Sequence, residues 1–395
     1  MAAASRRSRR FVVAGVAFLL VWQAATVTGV GRTPSAVLGV LGFVLHVVFG
    51  KAYALVPSYF ERSLATSRTE VLHLPLSALG VAALAWGVAG GPPVAATAGA
   101  ALWSLGVALF LGTLLWTVRD NLTGAETGTG EVNAHRRAVD RVANAAVLVA
   151  LAYLAAGSYE LLAVTSPLPA LVGRGLPAAL HLLAAGAAAT TLFAVGFRLL
   201  PRFLVASPPR WLVALVLAAA AIGPALLAVG FGRYGPLFRL GAALEATAVV
   251  GFGLAFLALF VRTDRDRVGF RGVLAAVLSG AGGVALGLGF ALGIPPRPAL
   301  VLAHLRLNVL GLLGLSVVGV AYQFYPPAVG AYRASDDRTA LASIAALAVG
   351  LWLEVGGRLA GSSVLVRAGA LLGLLGAVAF TYLLAGTLRA QSARR

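Results

Sequence analysis

The 395-residue chain contains no cysteine, and its only methionine is Met1. The first absence excludes disulfides, iron–sulfur clusters, thiolate-bound metals and covalently attached c-type haem. The second removes thioether ligation within the body of the chain. Any metal or metal-bearing cofactor is therefore expected on histidine, carboxylate or tyrosine, and the five histidines are the first donors to consider. Charge is scarce too, at 11% of residues against 60% hydrophobic. That balance excludes an ordinary soluble domain and makes the lipid bilayer the expected surroundings. Acidic residues number 13 against 31 basic ones, for a net charge of +18. The arginines punctuate apolar runs and do not cluster on one face, so they read as topology signals, and no nucleic-acid partner is expected.

A helical span needs roughly 20 apolar residues. Twelve such runs are predicted, at about 11–30, 35–59, 71–90, 94–118, 141–163, 176–201, 210–231, 237–261, 271–293, 298–326, 339–360 and 363–388. If the segment with Arg6, Arg7, Arg9 and Arg10 is cytoplasmic, the inner connections hold 21 of the 31 lysines and arginines. The outer ones hold seven: Arg32, Arg174, Arg233, Arg239, Arg297, Arg358 and Arg367. This alternation predicts a multi-pass protein of the cell membrane with both termini cytoplasmic. The stretch Ser8-Arg9-Arg10-Phe11-Val12 resembles the start of a twin-arginine export signal. The apolar run after it is too long for one, so an uncleaved first span is expected.

Three copies of one pattern, small-x-small-aromatic-x-Leu/Phe-x-Pro, occur at Gly50 to Pro57, Ala194 to Pro201 and Gly319 to Pro326. Each follows a glycine 15 positions before its proline: Gly42, Gly186 and Gly311. The copies fall in the second, sixth and tenth spans. Polar connections at Arg119 to Arg141 and Arg262 to Arg271 separate the same blocks of four. One membrane domain of three tandem four-helix units, at about 10–120, 140–264 and 268–390, is expected. An even number of spans per unit makes the units parallel, unlike the inverted repeats common in transporters. The prolines are expected to stop their spans at the cytoplasmic side, and the glycines to permit close helix approach.

Three histidines lie on the repeat helices: His46, His181 and His304. An ionisable group inside a membrane is by default a functional candidate, with a hydrogen-bonded neutral imidazole as the alternative. At about 1.5 Å per residue, His181 and His304 lie roughly 30 Å outward from their prolines, and His46 about 16 Å from Pro57. His73 is expected at the interface and His135 in a polar loop beside Arg136 and Arg137.

The segment Ala303-His304-Leu305-Arg306-Leu307-Asn308-Val309-Leu310-Gly311, on the tenth of twelve spans, resembles the His-x-His segment of subunit I of the haem-copper oxygen and nitric-oxide reductases. The likeness is greatest to divergent prokaryotic members. It covers the full chain through the twelve-helix plan. It implies an all-α fold and haem b, with His304 matching the ligand of the reactive haem and Arg306 standing where the low-spin haem ligand would be. His46 becomes a second candidate for haem iron and His181 a counterpart of a copper ligand. The adjacent histidine pair that the family carries on the seventh helix is missing from residues 210–231, so copper is not expected. Electrons would come from other subunits.

Arg306 is expected to meet a haem propionate or Glu354. Glu160 and Glu245 are expected to pair with Arg174 and Arg239 at the outer interface, and Lys51 and Arg198 to reach inner-surface water. A twelve-helix transporter, or a cofactor-free structural membrane protein, is the alternative from a different class.

Overall fold

In the computed structural model, which describes residues 2–330 and 332–393, the chain is helical, with no strand among the described residues. Twelve helices among them are long and apolar enough to cross a membrane. They are α1 (Arg7–Val27), α2 (Arg32–Tyr59), α3 (Thr69–Val88), α4 (Pro93–Val118), α5 (Glu131–Thr165), α6 (Gly175–Phe203), α7 (Arg210–Gly230), α8 (Pro236–Phe260), α9 (Val268–Ala291), α10 (Pro298–Val329), α11 (Asp337–Ala360) and α12 (Ser363–Ser392). All twelve expected spans are present. The largest departure is α5, which starts ten residues early, because Glu131–Arg136 coils as a 3₁₀ turn and Asp140 is drawn into the protein by two arginines of α6.

Among the described residues, nine helices form a closed ring: α1 touches α3, then α4, α5, α7, α8, α9, α11 and α12 follow, and α12 returns to α1. Inside lie α2, α6 and α10, each touching the other two, and these are the three most completely buried spans. Their middles are not α-helical. Val37–Leu45, Leu182–Ala189 and Leu307–Leu315 are wider π-helical stretches, at almost the same distance from Pro57, Pro201 and Pro326. Apolar composition gives no hint of this widening, since both helix types bury the same side chains.

The glycines lie within these stretches. A Cβ added to Gly42, Gly186 or Gly311 would come within 3.0 Å of Phe18 on α1, Tyr153 on α5 or Ser279 on α9. Their hydrogen side chains let each inner helix approach its outer neighbour closely. The prolines act less simply than expected. Pro57 and Pro201 lie inside the last helical turn, which continues to Tyr59 and Phe203. Pro326 instead lies just past Phe324, where the α-helical part of α10 ends and before its closing 3₁₀ turn.

Candidate functional site

At the end of the bundle opposite the chain termini, a cavity of about 750 Å³ opens between α2, α6, α7, α8, α9 and α10. Its wall is mostly apolar and aromatic, with Phe231, Phe238 and Phe290, and its polar side chains include His181, His304, Glu245, Asn308, Arg32 and Arg174.

His181 is the last α-helical residue of α6 before its π stretch, and His304 lies three residues before the π stretch of α10. The rings are 6.3 Å apart between centres and 12° from parallel. His181 Nδ1 lies 3.0 Å from the carbonyl of Pro177, and His304 Nδ1 lies 2.8 Å from that of Gly283 on α9. Carbonyl oxygens only accept, so each imidazole carries its hydrogen on Nδ1 and leaves a lone pair on Nε2. Among the described residues neither Nε2 has a hydrogen-bond partner, and neither is sealed from the cavity.

The surroundings hold these rings in place. Phe231 packs edge-on against His181 at 4.6 Å and Phe290 against His304 at 5.8 Å. Asn308 Nδ2 donates to the His304 carbonyl at 2.8 Å. Two glycines of α9 make the room: a Cβ on Gly287 would lie 2.9 Å from His304 Cε1, and one on Gly283 would lie 2.6 Å from Asn308. Glu245 is nearly buried, and among the described residues its Oε1 has no hydrogen-bond partner and the expected ion pair to Arg239 is not formed. Arg32, the first residue of α2, and Arg174, just before α6, place positive charge on the cavity wall.

The structure therefore joins His181 to His304 and separates both from the other two expected ligands. His46 is fully buried and both ring nitrogens are engaged, Nδ1 with the Leu41 carbonyl at 2.8 Å and Nε2 with the Ser77 hydroxyl at 3.2 Å. Phe11, Phe18, Phe49 and Trp103 surround it, so its Nε2 lone pair faces Ser77 and no space for a haem is left beside it. Arg306 points away from the cavity, as its two-residue offset from His304 requires on a helix. It bonds Glu354 on α11 at 2.9 and 3.0 Å and Gln23 on α1 at 3.0 Å, under Trp22. Glu354 was thus the right partner, and Arg306 is not part of the cavity.

Other expectations are corrected. His73, four residues into α3, is buried among neighbouring helices, with Tyr53 Oη 3.1 Å from its Nδ1. Arg198 does not reach water: it bonds Asn144 and the carbonyls of Tyr59 and Thr127, beside Asp140. Lys51 is half-buried and donates to Tyr325 Oη at 3.0 Å, over the Phe324 ring. Glu160 ignores Arg174 and accepts from the backbone N–H groups of Leu171, Val172 and Gly173 in the loop folded over it. His135 is exposed, but in the 3₁₀ turn that opens α5, not in a loop.

Fold and cavity together define an all-α, multi-pass membrane protein with an imidazole pair in an aromatic pocket at the end of the bundle opposite the termini. No protein-family model matches the chain, and no curated protein is significantly similar to it.

Proposed function

We propose that the chain is a haem-binding integral membrane protein of the cell membrane, related to subunit I of the haem-copper oxidases and nitric-oxide reductases, with His181 and His304 holding the iron of haem b. The imidazole pair is the observation that carries this reading. Both rings line the same cavity, with centres 6.3 Å apart, so His181 and His304 are the residues that would hold the iron if haem b were bound. Histidine is sufficient for haem b. The hydrogen bonds from both Nδ1 atoms fix the tautomer that leaves Nε2 free, a common support for a metal-bound imidazole. Arg32 and Arg174 suit a pair of carboxylates, and the phenylalanines suit a flat apolar ring.

Bound there, haem b would supply one-electron chemistry, with electrons arriving from another membrane or electron-transfer subunit. The reading includes no copper, because α7 carries no histidine and copper wants about three nitrogen donors. Three tandem units with both termini cytoplasmic belong to the same proposal. They are supported by the π stretch in every second helix of four, by the recurring contacts α1 to α3, α5 to α7 and α9 to α11, and by the arginine-rich inner loops.

The visible spectrum of the purified full chain, expressed with ample haem, is the test. A Soret band is expected, lost or shifted in both His181→Ala and His304→Ala and kept in His46→Gln. A colourless protein, or a band that depends on His46 alone, overturns the proposal.

A further inference from the structure

The three inner helices meet mainly through their π stretches. Beyond these, toward the end of the bundle that bears the termini, a second cavity of about 130 Å³ lies between them, and its polar side chains are Lys51, Thr191, Ser316 and Tyr325. The internal repeat explains its shape. Val48, Leu192 and Val317 stand nine residues before Pro57, Pro201 and Pro326, and Lys51, Val195 and Val320 stand six before them. All six line the cavity, and each keeps partial exposure although its helix is enclosed by the outer ring. Residues three apart share one face of a helix, so every inner helix turns the same face to the common axis. From Val44 to Leu55, both in the wall, the slot runs about 16 Å along α2.

One of the six breaks the pattern. Where α6 and α10 carry valine, α2 places the ammonium of Lys51 in a mostly apolar wall. Its Nζ donates to Tyr325 Oη at 3.0 Å and lies 4.0 Å from the centre of the Phe324 ring. An ammonium has three N–H donors, so two remain. Among the described residues no carboxylate forms an ion pair with it, and Arg9 of α1 adds a second positive charge nearby. A cation drawn into an apolar wall without an anion is costly. Packing does not require it, since valine fills the two equivalent positions. The size of the cavity describes the rest of the ligand. An apolar cavity of about 150 Å³ stays dry and admits benzene, so this one suits an apolar body of about six carbons.

We propose that this axial cavity binds a medium-chain carboxylate of the size of octanoate, with its head on Lys51 and its hydrocarbon between α2, α6 and α10. The two spare N–H groups of Lys51 donate to the carboxylate, a charge-assisted contact, while Tyr325 and Phe324 hold the ammonium in place. The hydrocarbon points toward the π stretches, because the longer part of the cavity, from Lys51 to Val44, lies on that side.

The test is equilibrium dialysis of radiolabelled octanoate against the full chain in lipid nanodiscs, with empty nanodiscs as the blank and 1-octanol as a neutral ligand of equal length. The unmodified chain is expected to bind octanoate saturably above the blank, and about tenfold or more tightly than 1-octanol. Lys51→Met, which keeps the bulk and removes the charge, should erase that preference. Val320→Phe should fill the cavity and abolish saturable binding of both ligands. The proposal is overturned if the unmodified chain takes up no more octanoate than empty nanodiscs, if it does not prefer octanoate to 1-octanol, if Lys51→Met keeps the preference, or if Val320→Phe binds as before. The two ligands compared on the unmodified chain decide the question even where a variant does not fold. Neither His181, His304 nor haem enters the readout, so it stands or falls apart from the cavity at the opposite end.

Discussion

Arg306 and Glu354 show how much a single residue depends on its partner in this protein. Both are buried to about 1% exposure and bonded to each other, and Arg358 binds the second carboxylate oxygen at 2.9 Å. Removing one member leaves the other charged in an apolar interior. Glu354→Gln is therefore expected to destabilise the folded protein by about 3–5 kcal/mol, measured as a lower unfolding temperature in detergent. Replacing Arg306 and Glu354 together by apolar residues of similar size should cost much less. At the surface, Asp336 caps α11 by accepting from the Thr339 N–H at 2.7 Å, and this bond holds its carboxyl below the usual range. A depressed carboxyl pKa contributes stability above its unfolded value, and that contribution is lost as pH falls through the folded one. Asp336→Ala should accordingly lower the melting temperature at neutral pH, with the difference from the unmodified chain vanishing in acid. An effect that grew in acid would contradict the cap.

Within the elements, the π stretches explain what the residues after them do. Each stretch is followed at once by a polar residue: His46, Thr190 or Ser316. His46 bonds the carbonyl five residues back, and Thr190 Oγ1 reaches that of Ala185, also five back, at 3.3 Å and that of Ala220 at 3.1 Å. In this company His46 serves a widened turn, whose carbonyls are displaced from the usual ladder. The glycines serve the neighbouring helices. Gly186→Val would drive two methyl groups into Tyr153 and is expected to cost about 1–3 kcal/mol, again visible in detergent unfolding. On α9, Gly287→Ala should push the His304 ring from its place and weaken haem retention, read from the Soret intensity, with the fold retained by circular dichroism.

Seen as a whole, the bundle places three inner helices within nine, and the orientation proposed for it is testable because there is no native cysteine to compete. A cysteine at Gly173 should react with a membrane-impermeant thiol reagent added outside intact cells, and one at Gly130 only after lysis. The opposite result would invert the topology. Hydropathy alone determined the twelve spans, because a bilayer demands long apolar helices wherever they cross. Proline and glycine spacing likewise picked out α2, α6 and α10, because the same contacts recur there. The site was only partly legible. His181 and Arg306 share a distance from their prolines, yet it is His304 that meets His181, since two residues along a helix turn a side chain through about 200°. Height along a span can be counted in a sequence, but the direction a side chain faces follows from which helices surround it. For the same reason the place of His73 along α3 could be counted, while its meeting with Tyr53, and that of Ser77 with His46, were decided only when α2 and α3 packed together.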